Sequence, residues 1–315
     1  MTAPGSGQNE LMDGVVVRAH GKWFTVEVPE TGAVWLATPK GTLKRSRQLS
    51  DPVVVGDRVR IVDVGDGEAR IEEVAERRSV LTRPQRGSTV NEQILLANLD
   101  QALFVFAVRH PEPHRRMLDR FLILAEDRGL AAMIGVNKID LDERLPDGDL
   151  LSRSIFGDYE AVYPVFYFSA RSGIGIPPLR EAMQGKTTVL TGPSGVGKSS
   201  ILNALGAQRV REVGDISSAT GKGRHTTTSA ELIRLDDETF VADTPGIRSL
   251  AMHGVAPEML DQRFRELLPY SGRCFYPDCK HLTEPGCAVL EAVEEGKIAP
   301  ERYESYAALR RGDQD

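Results

Sequence analysis

Between Gly192 and Ser199 the chain reads Gly-Pro-Ser-Gly-Val-Gly-Lys-Ser, a spacing whose chemistry is phosphate binding. Gly192, Gly195 and Gly197 let the backbone turn tightly and aim N–H groups at an anion, with Pro193, Ser194 and Val196 completing the loop. Lys198 adds a full positive charge. The Ser199 hydroxyl suits a magnesium ion bridging two phosphates, and Ser200 continues a helix whose positive N-terminal end faces the same anion. A β-branched run, Thr187 to Leu190, enters this stretch and a helix-like run, Ser199 to Leu205, leaves it. The loop thus has the strand–loop–helix setting that phosphate binding requires, where a plain glycine-rich turn would need neither lysine nor hydroxyl.

A second group selects a base. Asn137-Lys138-Ile139-Asp140 follows the buried-strand pattern Ala131 to Val136, and Ser169-Ala170 follows Tyr163 to Phe168. A carboxylate at Asp140 can accept from both N1–H and the exocyclic amine of guanine, a pair of donors that adenine does not offer. GTP, and GDP after hydrolysis, are therefore the expected ligands. Asn137 would meet the far edge of the base, Lys138 would lie along its face, and the Ala170 N–H would reach the carbonyl. Downstream, Asp243-Thr-Pro-Gly246 closes another strand, placing Asp243 to hold magnesium through water and the Gly246 N–H to meet the γ-phosphate. The intervening Gly214 to Thr228 stretch is rich in Gly, Ser and Thr, as befits a loop that orders when a threonine reaches the metal. Thr227 is the first choice for that contact, with Thr226 and Thr228 as alternatives. Ser199, Thr227 and Asp243 make up the magnesium set.

All three cysteines, Cys274, Cys279 and Cys287, lie close together around His281. An odd, clustered set does not form a disulfide framework. Three thiolates and one imidazole make a closed tetrahedral set suited to one structural zinc ion.

Several elements must position these groups. Residues 13–75 alternate apolar and polar positions in short runs at Val15–Val17, Trp23–Val28, Ala33–Leu36, Val53–Val55 and Val59–Val62, which predicts five strands and an OB-type β-barrel. Trp23 and Trp35 are expected in its core or on its face. From Gly14 to Arg86 there are thirteen Lys or Arg against ten Asp or Glu, a balance of +3 in a chain of net charge −6. Lys40, Lys44, Arg45 and Arg47 fall together with no acid among them, so this loop is either solvated surface or an RNA-binding patch.

Continuous apolar strands alternating with helical runs then predict a parallel α/β sheet, with ligands at the C-terminal strand ends. A helix from Met259 to Leu268 and two more over Ala288 to Glu295 and Pro300 to Arg311 would pack around the cysteine set. The expected fold is thus multidomain. Residues 1–12 are a disordered N-terminus, 13–75 the barrel, 76–90 a linker, 91–252 an α/β P-loop domain and 253–315 a small α-helical zinc-binding domain. At 315 residues, 41% hydrophobic and 27% charged, with no apolar stretch of membrane-spanning length and no apolar or basic leader, the sequence predicts a cytoplasmic protein without membrane contact. No heptad run or long apolar edge asks for a partner copy, so a monomer is expected.

The order of motifs is unusual, because N-K-x-D and S-A precede the phosphate loop that normally comes first. Circular permutation explains it, since the site needs the strand ends together and not their order along the chain. With that order, the G-R-H-T-T-T and D-T-P-G segments, Ser79-Val-Leu-Thr-Arg-Pro84 and the cysteine set ending in E-P-G-C, the chain resembles the circularly permuted ribosome small-subunit-dependent GTPase A (RsgA) family. The resemblance implies an OB domain, a permuted GTPase domain and a zinc domain. It also implies GTP hydrolysis stimulated by the small ribosomal subunit during late maturation, and contact with that subunit's rRNA. Ile247 stands where many GTPases carry a water-orienting glutamine. The resemblance points instead to His225 as the group that orients or deprotonates the attacking water, a loop role or an RNA contact being the alternatives. Two other functions fit the same motifs: a permuted GTPase acting on the large subunit, and an RNA-binding GTP switch or scaffold without significant hydrolysis.

Overall fold

Strands β1 (Met12–His20), β2 (Trp23–Val28), β3 (Ala33–Pro39), β4 (Arg58–Gly65) and β5 (Glu68–Val74) open the structure, a computed structural model that describes residues 10–41, 43, 52–84, 92–207, 230–243 and 255–313. Antiparallel pairs β1–β2, β2–β3, β4–β5 and β1–β4 and the parallel pair β3–β5 close these strands into the expected five-stranded barrel. Period-two alternation turns Val16, Val26, Ala37, Ile61 and Ile71 inward, each with no exposed surface. Burying one such side chain stabilises the fold by about 1.5–3 kcal/mol.

One expected strand is misplaced. Val53–Val55 lies in a turn whose three valines are all buried. Its backbone is satisfied outside the barrel's strand ladder, Val54 N–H donating to Asp57 Oδ2 at 2.8 Å and Val55 C=O accepting from Ala97 N–H at 2.9 Å. The fifth strand is β5, in which Ala69 and Ile71 face inward between outward charges. Segment 76–90 also carries structure: β6 (Val80–Pro84) pairs antiparallel with β7 (Glu92–Ala97).

The chain next forms β8 (Gln101–Ala107), α1 (Arg115–Asp127), β9 (Ala131–Asn137), α2 (Leu151–Phe156), β10 (Val165–Tyr167) and α3 (Ile176–Met183). Both β8–β9 and β9–β10 are parallel, and every residue of β8 is buried, as its unbroken apolar run requires. Helix α1 starts on His114, whose Nδ1 accepts from Met117 N–H, and lays Phe121 flat on Phe104 of β8 at 5.3 Å.

Then come β11 (Thr187–Thr191), α4 (Lys198–Ala204), β12 (Glu231–Arg234) and β13 (Phe240–Asp243). Strand β13 runs parallel to β11, with Asp243 in register with Leu190, and forms a hairpin with β12. Strand β12 pairs in turn with β1, Arg18 opposite Glu231. Two ion pairs flank this junction, Arg18–Glu231 and Arg234 Nη1–Glu27 Oε1 at 2.6 Å, the second with Glu27 buried on β2.

The C-terminal part holds a 3-10 turn (Pro257–Gln262), α5 (Leu268–Ser271), α6 (Ala288–Glu294) and α7 (Pro300–Arg311). A single helix over Met259 to Leu268 is therefore not formed. Leu260, Phe264 and Leu267 do bury one face at helical spacing, but Pro269 offers no N–H to continue the ladder from upstream, and the chain restarts as α5 with that proline in its first turn. Tyr306 meets Phe264 edge to face at 5.4 Å in this core. The chain divides into two compact units, one of Met1–Asp100, Arg180–Leu190 and Leu205–Gly246, the other of Gln101–Leu179, Thr191–Ala204 and Ile247–Asp315. Among the described residues no helix is long and apolar enough to cross a membrane.

Candidate nucleotide site and metal centre

Asn137 closes β9 and is 2% exposed. Its side chain is a two-way clamp, Nδ2 donating to Val196 C=O at 2.7 Å and Oδ1 accepting from Ala170 N–H at 3.0 Å. The base-selecting motif, the Ser-Ala segment and the phosphate loop are thereby fastened to one side chain. Space for it exists because position 197 is glycine, at φ +97°: a Cβ there would stand 2.5 Å from Asn137 Nδ2. Gly192 is equally constrained, since a Cβ would meet Val105 C=O of β8 at 2.1 Å.

Lys138 takes a left-handed conformation, φ 65°, and its Nζ donates to Gly195 C=O at 2.8 Å and to His110 C=O. Asp140 lies in a 3-10 turn (Ile139–Leu141), where Oδ1 accepts from the wholly buried Ser169 Oγ at 2.6 Å. Ser169 thus fixes the carboxylate that would read guanine. At the mouth of α4, Lys198 Nζ donates to the carbonyls of Gly192 and Pro193 at 2.9 and 2.8 Å. The expected residues from Asn137 to Asp140, Ser169, Ala170 and Gly192 to Ser200 all fall in one unit. Asp243 ends β13 as expected, although only its backbone is described. His225, Thr227, Gly246, Lys44, Arg45 and Arg47 lie outside the described residues. Of the basic set, Lys40 is described. It follows β3 and pairs with Glu72 Oε2 at 2.6 Å, and those hydrogen bonds, with Arg70 as the second donor, hold the Glu72 carboxyl below its ordinary range.

Cys274, Cys279, His281 and Cys287 converge, with one potential ligand atom from each inside 4.8 Å of all the others. Cys274 Sγ and Cys287 Sγ are 3.8 Å apart, too far for a disulfide and close to the edge of about 3.8 Å of a tetrahedron with 2.3 Å metal–sulfur bonds. His281 Nδ1 faces those two sulfurs at 3.4 and 3.5 Å. Burial lowers the imidazole pKa, which favours the neutral ligand form, and pushes the Cys279 thiol up to about 12. Only a bound cation would make thiolates the stable form there, so the donor set can hold a metal.

Around the metal centre are groups the sequence reading missed. Glu284 accepts from the N–H groups of Lys280, Leu282 and Thr283 at 2.9, 2.9 and 3.0 Å, and is held down to about 2 by backbone hydrogen bonds that outweigh partial burial. Tyr303 and Tyr306 hydroxyls donate to the carbonyls of His281 and Lys280 at 2.9 and 2.8 Å. The signal was the acid of E-P-G-C, which stands among the ligands without being one. A further buried cluster had no local signal: Arg302 of α7 reaches Asp119 of α1 and, at 2.5 Å, Glu266, while Tyr159 donates to Asp119 at 2.7 Å.

A family model described as RsgA GTPase matches residues 74–253. The Small ribosomal subunit biogenesis GTPase RsgA of Gemmatimonas aurantiaca is 43% identical over 300 residues, covering 94% of this chain and 96% of that protein. The chain belongs to the RsgA GTPase family. The RsgA of Thermotoga maritima is 38% identical, covering 94% of this chain and 95% of its own. Among solved structures, YjeQ from Thermotoga maritima aligns with a TM-score of 0.74 at 36% identity, over 96% of this chain and 98% of that one. YloQ, described as a circularly permuted GTPase, aligns at 0.73 and 29% identity over 98% and 97%. RsgA membership and these full-length alignments agree with the permuted motif order and with a barrel preceding it.

Proposed function

We propose that this chain hydrolyses GTP in the service of small ribosomal subunit maturation, binding the nearly finished subunit as GTP complex and leaving it after hydrolysis. The observation that carries the reading is the clamp of Asn137 on Val196 and Ala170, because it ties guanine recognition to phosphate binding through one side chain. The names borne by its RsgA relatives supply the subunit.

In this reading Asp140 accepts from guanine, Asn137 and Ala170 border the base and Lys138 lies along it. Gly192 to Ser200 cradle the phosphates, and Lys198 leaves the carbonyls of Gly192 and Pro193 to meet their charge. Ser199 and Thr227, with Asp243 through water, hold magnesium, which when bound neutralises charge developing on the phosphates. Gly246 contacts the γ-phosphate and His225 orients or deprotonates water. Slow intrinsic turnover follows from Ile247, whose side chain cannot orient water. Lys40, Lys44, Arg45 and Arg47 contact rRNA from the barrel. Zinc fills the Cys274, Cys279, His281 and Cys287 set in a structural role. Residues 13–75, 91–252 and 253–315 act as barrel, GTPase and zinc domains of a cytoplasmic monomer.

Phosphate release from GTP, measured with purified small subunits, with large subunits and with neither, tests the reading. Stimulation by small subunits alone is expected, and His225→Ala should keep GTP binding while losing it. Bound GTP without stimulation by either subunit would replace the reading with a binding switch.

A further inference from the structure

His281 is the one imidazole of the metal set, and its posture is demanding. Nδ1, the ring nitrogen nearer the backbone, faces Cys274 and Cys287 Sγ at 3.4 and 3.5 Å, so the ring serves a metal only while the main chain at 281 stays close by. That main chain is left-handed, at φ +57°, a conformation that a residue with a Cβ keeps only when its surroundings hold it there. Side chains hold three of the four polar groups on the two peptides that flank His281. The Tyr306 hydroxyl donates to Lys280 C=O at 2.8 Å, the Tyr303 hydroxyl donates to His281 C=O at 2.9 Å, and Leu282 N–H donates to Glu284 Oε2 at 2.9 Å. Glu284 reaches round the histidine. Its Oε1 accepts from Lys280 N–H at 2.9 Å on one side, and Oε2 from Thr283 N–H at 3.0 Å on the other. Backbone N–H groups stabilise this charge, which among the described residues has no ion pair.

We infer that Glu284 is a positioning residue of the metal centre: with the Tyr303 hydroxyl it holds the His281 backbone so that Nδ1 meets the metal. The inference rests on the reading that a metal fills the four-residue set, and it names groups outside that set that decide how tightly the metal is held. A partly exposed carboxylate ordinarily stays in water or pairs with a cation. This one gives both oxygens to the chain on either side of a ligand. Groups hydrogen-bonded behind a metal ligand typically change affinity about 10- to 100-fold, because a ligand already aimed loses little freedom when the metal arrives. A carboxylate that only braced the 280–283 turn would behave differently, since its loss would weaken the site equally with or without the histidine.

The test uses the full chain, its zinc affinity measured by competition with a chelator and its cobalt(II) form read by visible absorption. Glu284→Ala should weaken zinc binding about 10- to 100-fold. Its cobalt spectrum should move toward that of His281→Ala, as an imidazole no longer aimed gives way to water. In the His281→Ala background, adding Glu284→Ala should cost clearly less, because the ligand through which Glu284 acts is gone. Tyr303→Phe removes a hydroxyl and keeps the ring packed on the C-terminal core, so it keeps the test open if Glu284→Ala does not fold. It should weaken zinc binding about 2- to 12-fold, the contribution of one hydrogen bond. Zinc affinities of Glu284→Ala and Tyr303→Phe both equal to wild type, equal losses from Glu284→Ala with and without His281, or a cobalt spectrum unmoved by Glu284→Ala would each overturn the inference. Zinc held by the wild-type chain and lost by His281→Ala but not by Glu284→Ala would sink the positioning role and leave the metal assignment standing; a wild-type chain that takes up no zinc would sink both.

Discussion

Arg302→Ala should be among the most damaging single substitutions in the C-terminal half, although Arg302 touches no proposed ligand. Its guanidinium is 2% exposed, donates to Asp119, itself 1% exposed, and to Glu266 Oε1 at 2.5 Å, and lies over the rings of Tyr159 and Phe264 at 4.8 and 4.9 Å. Glu266 Oε2 already has no partner, and Asp119 would keep the Tyr159 hydroxyl, a neutral donor that does not balance its charge. Removing one member of a buried pair costs about 3–5 kcal/mol, mainly by stranding the opposite charge. Lost cation–π contact with two rings falls within that range rather than adding to it, because the same desolvated site is being counted. Against a typical domain stability of about 5–15 kcal/mol the loss is large. Urea denaturation should be followed by far-UV circular dichroism and by amide exchange of α7. Tryptophan fluorescence would miss it, because Trp23 and Trp35 both belong to the barrel. Asp119→Asn provides the second edge of a double-mutant cycle: with one charge already gone, adding Arg302→Ala should cost clearly less. A loss within about 1 kcal/mol, the range of exposed pairs, would refute the reasoning.

Two further outcomes follow from the sites themselves. Asp140→Asn should lower GTP affinity at least tenfold and improve relative affinity for xanthosine triphosphate, since an amide N–H can meet a carbonyl at the purine 2-position; competition binding with both nucleotides measures it. Stripping metal with a strong chelator should unfold the segment around Cys274 to Cys287 while sparing the barrel, read as loss of exchange protection in α6 and α7 with unchanged tryptophan emission, and zinc addition should reverse it.

How far these sites could be read in advance depended on how local their causes are. Gly192 to Ser199 and Asn137 to Asp140 were legible because each motif is contiguous and its chemistry is carried by residue type. Helix α7 was bounded correctly by Pro300 at its start and Gly312, left-handed at φ 80°, after its end. Strand β5 was hidden because its charges outnumber the two inward residues, Ala69 and Ile71, that define it. Val53–Val55 misled for the opposite reason: an apolar run need not be a strand when a turn can bury it on every side. The helix expected from Met259 had the right buried face and the wrong continuity, Pro269 being the residue to weigh more heavily. Nothing local could have paired Arg302 with Asp119, which lie 183 residues apart and meet only through packing.

The pairing of β1 with β12 gives the barrel a protective office. Without β1 beside it, β12 would present Glu231 to Arg234 as a bare sheet edge, with Leu232 and Ile233 available to any passing strand and Arg234 deprived of Glu27. The barrel therefore seals the flank of the hairpin that ends in Asp243, and it cannot be shed as a cassette. A shortened chain lacking residues 12–74 would inherit a sticky border in place of a finished one.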